Sequence, residues 1–205
     1  MAVIITGNNT PTAGGITYGD GTTYANTAAG TTGQYLKSNG ASAPTWVTLS
    51  GGITLATPVA STSGTSVTFT GIPAGTKRIT MMFKGVSTDG TGDKLIRIGD
   101  SGGLETSGYV SVGASIISGT AANGNATSGF VIYSNSASHA ISGSVILSLY
   151  DAATFTWAVQ GVLCAPGSST FMTGGIKSLS AELTQISFTA PPDNFDAGEI
   201  NISYE

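Results

Sequence analysis

Charge is scarce in this chain. Seven Lys and Arg stand against eleven Asp and Glu in 205 residues, so only 9% of residues are charged and the formal net charge is −4. Nucleic-acid binders carry a basic stripe or patch that replaces condensed counterions, and seven dispersed cations cannot supply one. Lys77, Arg78 and Lys84 are close in sequence, but a strand sends Lys77 to the face opposite the other two. They read as solvated strand positions. Cysteine is reduced to Cys164, which excludes an intrachain disulfide. Within the apolar run Val162-Leu163-Cys164 it is expected to be a buried, inert thiol. The one histidine, His139, lies in Asn135-Ser136-Ala137-Ser138-His139-Ala140, which has no nucleophile-elbow pattern. A solvated loop imidazole is expected there, not the base of a triad.

Long apolar runs are missing as well. A membrane helix needs about 20 continuous apolar residues, and the longest apolar region, Val145 to Ala165, is broken by Ser148, Asp151, Thr154, Thr156 and Gln160. Met1-Ala2-Val3-Ile4-Ile5 has no basic n-region and too short a core for a secretory signal. No membrane insertion is expected, and cytosolic synthesis followed by assembly into a particle fits. Nor does any segment sustain an apolar stripe at helical spacing; Ser178 to Leu183 makes at most one turn.

What the chain does have is glycine, 30 residues, together with an apolar fraction of 40% and positive mean hydropathy. Disorder pairs low hydrophobicity with high net charge, so short strands joined by Gly-rich turns fit better. Ser66 to Thr70 alternates cleanly, and Arg78 to Lys84 places Ile79, Met81 and Phe83 on one face. Leu95 to Ile98 follows, then a weaker strand or pair from Tyr109 to Ile117, with a polar loop predicted over 121–128. Phe130 to Tyr133 is apolar on both faces, as in a buried strand. Ile141 to Tyr150 and Ala153 to Cys164 are the strongest strands, joined by a compact hairpin at Asp151-Ala152. Leu183 to Phe188 and Ile200 to Tyr204 close the pattern. The expectation is an all-β chain: an antiparallel β-sandwich, jelly-roll-like, preceded by an extended N-terminal anchor or shaft. The boundaries are 1–50 for the shaft, 51–60 for a linker or first edge strand kept from the sheet centre by Pro58, and 61–205 for the head.

Chemistry-bearing constellations are thin. Asp89 with Asp93, and Asp193 with Asp196, alongside Asp100 and Glu105, offer carboxyl pairs for glycan hydrolysis. All sit beside glycine or in turns, where Asp caps its own backbone. Asp89-Gly90-Thr91-Gly92-Asp93 has hard oxygen ligands but not the twelve-residue calcium-loop pattern. No catalytic residue, metal site or cofactor is assigned, and no ligand pocket is identified. Of the aromatics able to stack on a sugar, Trp157 alternates with Phe155 and Val159 and reads as core, whereas Tyr109 is the least buried by pattern.

The stretch Gly30-Thr31-Thr32-Gly33-Gln34-Tyr35-Leu36-Lys37-Ser38-Asn39-Gly40-Ala41-Ser42-Ala43-Pro44-Thr45-Trp46 organises the rest. Asn39-Gly40 is a strong two-residue hairpin signal, and Pro44 holds Ala43 extended. This stretch resembles a hinge found in tail-fibre and virion-surface proteins of bacteriophages, between a slender shaft and a globular head. Thr70-Gly71-Ile72-Pro73-Ala74-Gly75-Thr76-Lys77-Arg78, Ile98-Gly99-Asp100-Ser101-Gly102-Gly103 and the ending from Phe195 to Glu205 are similar to a head module of such proteins. Members of that group end on their last strand, so the resemblance implies a chain complete at its C-terminus. The resemblance further implies a homotrimer, with Ile16, Tyr18, Tyr35, Leu36 and Trp46 as oligomerisation or anchor residues. Partners would be other virion proteins, of the tail, baseplate or capsid, and a host-envelope glycan. The implied function is a short tail fibre on the virion exterior, non-enzymatic, with a capsid decoration or head-fibre protein as the alternative and a glycan-cleaving tailspike behind both.

Overall fold

The computed structural model describes residues 12–48, 52–167 and 169–205; the apolar residues Val3, Ile4 and Ile5 lie outside them. The chain divides into two compact units, residues 1–52 and 53–205. Among the described residues there is no helix.

In the first unit, β1 (Thr17–Gly19) pairs with β2 (Tyr24–Asn26), and β3 (Gln34–Asn39) pairs with β4 (Ser42–Thr48). Asp20 closes the first turn, its carboxylate accepting the N–H groups of Thr22 and Thr23 at 2.9 and 2.7 Å. The second turn is displaced by one residue from the expected Asn39-Gly40. Asn39 pairs with Ser42, leaving Gly40-Ala41 as the loop, and Gly40 carries φ +69°. The Asn39 side chain explains the shift, since its amide donates along the opposite strand to the carbonyl of Ala43 at 2.8 Å. Glycine at the first central position is what a type II′ turn requires.

The second unit is a sandwich of two antiparallel sheets. Its elements are β5 (Thr54–Leu55), β6 (Val59–Ala60), β7 (Ser66–Thr70), β8 (Arg78–Thr88), β9 (Lys94–Asp100), β10 (Gly103–Leu104), β11 (Val110–Ile117), β12 (Thr120–Ala126), β13 (Phe130–Ile132), β14 (Ile141–Asp151), β15 (Thr156–Ala165), β16 (Ser169–Ser178), β17 (Gln185–Thr189) and β18 (Phe195–Tyr204). The large sheet runs β12-β11-β16-β15-β14-β8-β18, with β5 and β6 on the free edge of β18. The small sheet runs β10-β9-β17-β7, with β13 also on β9. Strands β7 to β9 and β16 to β18 alternate between the sheets, whereas β14, β15 and β16 form a meander within one.

Period-two patterning decides which side chains meet. Ile79, Met81 and Phe83 of β8 all face inward, opposite Leu147 and Val145 of β14 and Ile202 and Ile200 of β18. From the small sheet, Val67, Phe69, Ile96, Ile98, Ile186 and Phe188 complete the core.

Four local expectations are corrected. Thr120–Ala126 is not a loop but the edge strand β12, turned back on a continuous β11 by Ser118 and Gly119, both at positive φ. The β14–β15 connection is longer than Asp151-Ala152, because Asp151 pairs with Thr156 and four residues loop between them. Of the two readings of 51–60, the linker gives way to the first edge strand, since β5 and β6 pair with β18. Strand β16, unpredicted, is central, lying between β11 and β15. Its Gly174-Gly175 breaks the apolar alternation for a steric reason. A Cβ on Gly175 would fall 2.4 Å from the carbonyl oxygen of Val110 and 2.9 Å from the Phe130 ring, which crosses from the other sheet.

Gly175→Ala is therefore expected to destabilise the protein by about 1–3 kcal/mol, as overpacking does, read as a lower urea midpoint. An unchanged midpoint would mean that Phe130 and β11 move aside freely.

Candidate functional site

The N-terminal unit holds the expected oligomerisation or anchor residues, and its geometry is unusual for a folded segment. No described residue from 12 to 48 is buried. Trp46 supplies the main internal contact: its indole lies where a Cβ on Gly30 would be, 2.6 Å from the ring, and its Nε1–H donates to the carbonyl of Ala28 at 2.8 Å. Leu36 is directly opposite Trp46 across the hairpin, on the same face, and Tyr35 is opposite Val47 on the other. Tyr18 and Leu36 border one groove between the hairpins. Ile16 is tied by its backbone to Thr27, with its side chain outward. The structure thus joins Tyr18, Leu36 and Trp46 and sets Tyr35 on a separate face. Ile16, Tyr24, Tyr35 and Leu36 remain 42%, 54%, 46% and 38% exposed.

Most of the candidate acids of the head close loops or pair with a lysine; Asp93 follows Gly92 directly before β9. Asp89 accepts the backbone and side-chain N–H groups of Asn194 at 2.8 and 3.1 Å, and these bonds hold its pKa below the usual carboxylate range. Asp100 accepts from Ser180 Oγ at 2.6 Å and from the N–H groups of Gly102 and Ala181, with the same direction of shift. Asp196 accepts a short hydrogen bond from Ser87. Glu105 pairs with Lys177 at 3.3 Å. Asp193 caps Gly92 and lies 3.9 Å from Lys94. A glycosidase acid needs a raised pKa, and Asp89 and Asp100 are shifted the other way. Among the described residues no group of three or more potential ligands could hold a metal ion.

His139 is not the solvated loop residue expected. It is 9% exposed, with Nδ1 2.9 Å from Ser134 Oγ, Nε2 3.3 Å from Ser169 Oγ, and the Phe171 ring edge-on at 5.1 Å. Burial, and then the nearby Lys94 cation, hold its pKa below the ordinary value. Lys94 is itself buried, its ammonium donating to the carbonyls of Gly92 and Ser134. Although Ser134 lies beside an imidazole, it is fully buried, so no substrate reaches that hydroxyl.

Tyr109, expected to be the least buried aromatic, is 2% exposed. Its hydroxyl accepts from the N–H of Ile98 and shares its one proton between the carbonyls of Ile98 and Glu105, both at 3.1 Å, and burial pushes its pKa up to about 12. Trp157 is core, as expected, at 2%. Cys164 reverses its expectation: it is exposed, because it alternates with the inward Leu163 and Ala165. The alternation was visible, but the apolar run concealed it. No protein-family model, no curated protein and no solved structure matches the chain.

Two outcomes follow from these contacts. Gly30→Ala should displace the Trp46 indole and speed amide exchange in residues 42–48, by about fivefold for a loss near 1 kcal/mol; unchanged exchange would mean that Trp46 holds nothing. His139 has a lowered folded pKa, so the unfolded state binds its proton first. Stability should be full above the ordinary histidine value of about 6.5 and fall as pH drops below it, by at most about 1.4 kcal/mol per pH unit. As His139 is the only histidine, urea titrations between about pH 7 and pH 5 should lose this slope in His139→Asn. A slope that survives the substitution would assign it elsewhere.

Proposed function

We propose that this chain is a structural and binding protein of a bacteriophage virion, a short homotrimeric tail fibre anchored through its N-terminal unit. The single observation that carries this reading is the lack of any buried side chain in the described residues 12–48, combined with exposed Ile16, Tyr24, Tyr35 and Leu36. Such a segment gains little stability alone, since isolated hairpins are marginal in water. Further copies of the same hairpins, or a surface of the particle, would cover it. The resemblance of residues 30–46 to phage hinges supplies the context.

The head supports a different role. Its core is extensive, and Asp89, Asp100 and Glu105 are engaged in loop closure or an ion pair. A rigid sandwich displayed outward suits attachment to the host envelope, a glycan being the expected target. Three weak contacts per fibre, multiplied over several fibres, raise avidity without any single tight site. The same plan, anchor plus knob, serves a capsid decoration protein, and the test separates them.

Cryo-electron microscopy of the intact particle is that test. Threefold density on the tail or baseplate, with residues 53–205 outermost, is the expected result. Density spread over capsid faces or vertices would replace the fibre with a decoration protein.

A further inference from the structure

The outer face of the large sheet is divided by charge. On one half, β8 and β18 carry exposed ion pairs, Lys84 with Glu199 at 2.8 Å and Arg78 with Glu205 at 3.6 Å. On the other half, alternation sets residues 121, 123 and 125 of β12, 110 to 116 of β11, 170 to 176 of β16, 158 to 164 of β15 and 142 to 148 of β14 outward in steps of two. None of these positions holds Asp, Glu, Lys or Arg. Uncharged polar side chains such as Asn123, Gln160 and Ser144 stand among them, and the three middle strands β11, β16 and β15 expose apolar ones: Val110 is 68% exposed, Val162 63%, Val112 56%, Met172 42%, Ile116 41% and Ile176 38%.

Register makes these a patch and not a scatter. Val110 is directly opposite Ile176, Met172 is opposite both Ala114 and Val162, and Ile116 is opposite Thr170. Single exposed apolar residues need no explanation, but contiguous ones beyond a few hundred Å² mark an interaction surface. Five strands at a spacing of ~4.8 Å and eight residues at ~3.3 Å span roughly 600 Å² of flat sheet. That is commensurate with the roughly 800 Å² each partner gives to a standard interface. The edge strand β12 has neither charge nor proline, the devices that keep a free edge from pairing.

We infer that this uncharged half, centred on β11, β16 and β15, is where the heads of separate copies of the chain pack on one another. The occupant follows from charge. At a net charge of −4, copies repel wherever charged surface meets charged surface, and this half-face is a broad surface that offers no such repulsion. It also gives a charged partner nothing to pair with, whereas an identical face matches it in polarity. The inference rests on the many-copy reading above and adds to it a contact surface in the head.

Cys164, the only cysteine, is an internal reporter, being exposed on this face and in register with Thr170 of β16. In the full chain under native conditions, N-ethylmaleimide should label Cys164 about tenfold more slowly than in urea, and peroxide should spare Met172. Val112→Lys and Val162→Lys, both at open positions, should restore labelling and oxidation. Free labelling of the native chain at the unfolded rate overturns the inference, and so does protection that survives both lysine substitutions. Native mass spectrometry separates the two levels: a multimer with a free Cys164 overturns this interface alone, and a monomer overturns the many-copy reading with it.

Discussion

The head depends on the contact of Phe188 with Phe83 and Phe195. Phe188 belongs to β17, at the centre of the small sheet, and is wholly buried. Its ring meets Phe83 of β8 edge-on at 4.8 Å and stacks on Phe195 of β18 at 5.5 Å. Three strands from two sheets are thereby joined at one cluster. Large aromatic rings contribute the most burial per ordered side chain, with a further ~0.5–1.5 kcal/mol for favourable ring geometry. Because β17 is held by β7 and β9, and β8 by β14 and β18, removing this cluster would loosen pairings on both layers.

Around that core the few charged residues do local structural work. Asp20, Asp89, Asp100 and Asp151 each accept backbone N–H groups at a turn or loop crossing. A carboxylate held by several such donors stays ionised and organises chain that glycine would otherwise leave free. Lys94 is buried, as are Asp100 and Lys177, and it is compensated by two carbonyls and by Asp193. Its charge in turn discourages protonation of His139. Exposed pairs such as Lys84–Glu199 add little stability; their consequence is to keep one half of the outer sheet face hydrated.

Much of this fold is legible in the sequence because an amphipathic strand advertises itself every second residue. Ser66–Thr70 is found at its observed bounds, and Ile79, Met81 and Phe83 face inward as their alternation requires. Several of the misses come from contact with another element. Gly174 and Gly175 erase the apolar rhythm of β16 because Phe130 needs the space above Gly175. Strand β12 is Asn, Gly and Ala, with no propensity to announce it, and exists because β11 offers a pairing edge. Tyr109 looks like a surface aromatic until its hydroxyl meets the backbone of Ile98, and His139 looks solvated until β16 delivers Ser169 and Phe171. Of the candidate site, the bulk of Trp46 and Leu36 is visible in the sequence, but their position opposite each other depends on a turn shifted by one residue and on a register irregularity between Lys37 and Asn39.

Two deficits of surface, one in each unit, have the same physical remedy. Residues 12–48 cannot exclude water from their own apolar side chains, and half of the large sheet presents valine, isoleucine and methionine to solvent without a charge among them. Neither feature is a failure to fold, since a continuous buried core lies beneath the sheet and both hairpins form strand ladders. A hairpin covers one of its faces only by adding layers, and an apolar sheet face is covered only by a second apolar face. For a chain whose charges are few and mostly spent on turns, other copies of itself, as proposed above, would meet both demands at once. A receptor site, by contrast, would have to present specific polar groups. Under the proposed fibre reading, that argues for seeking host contacts at loop tips or on the ion-paired half of the sheet, away from its uncharged half.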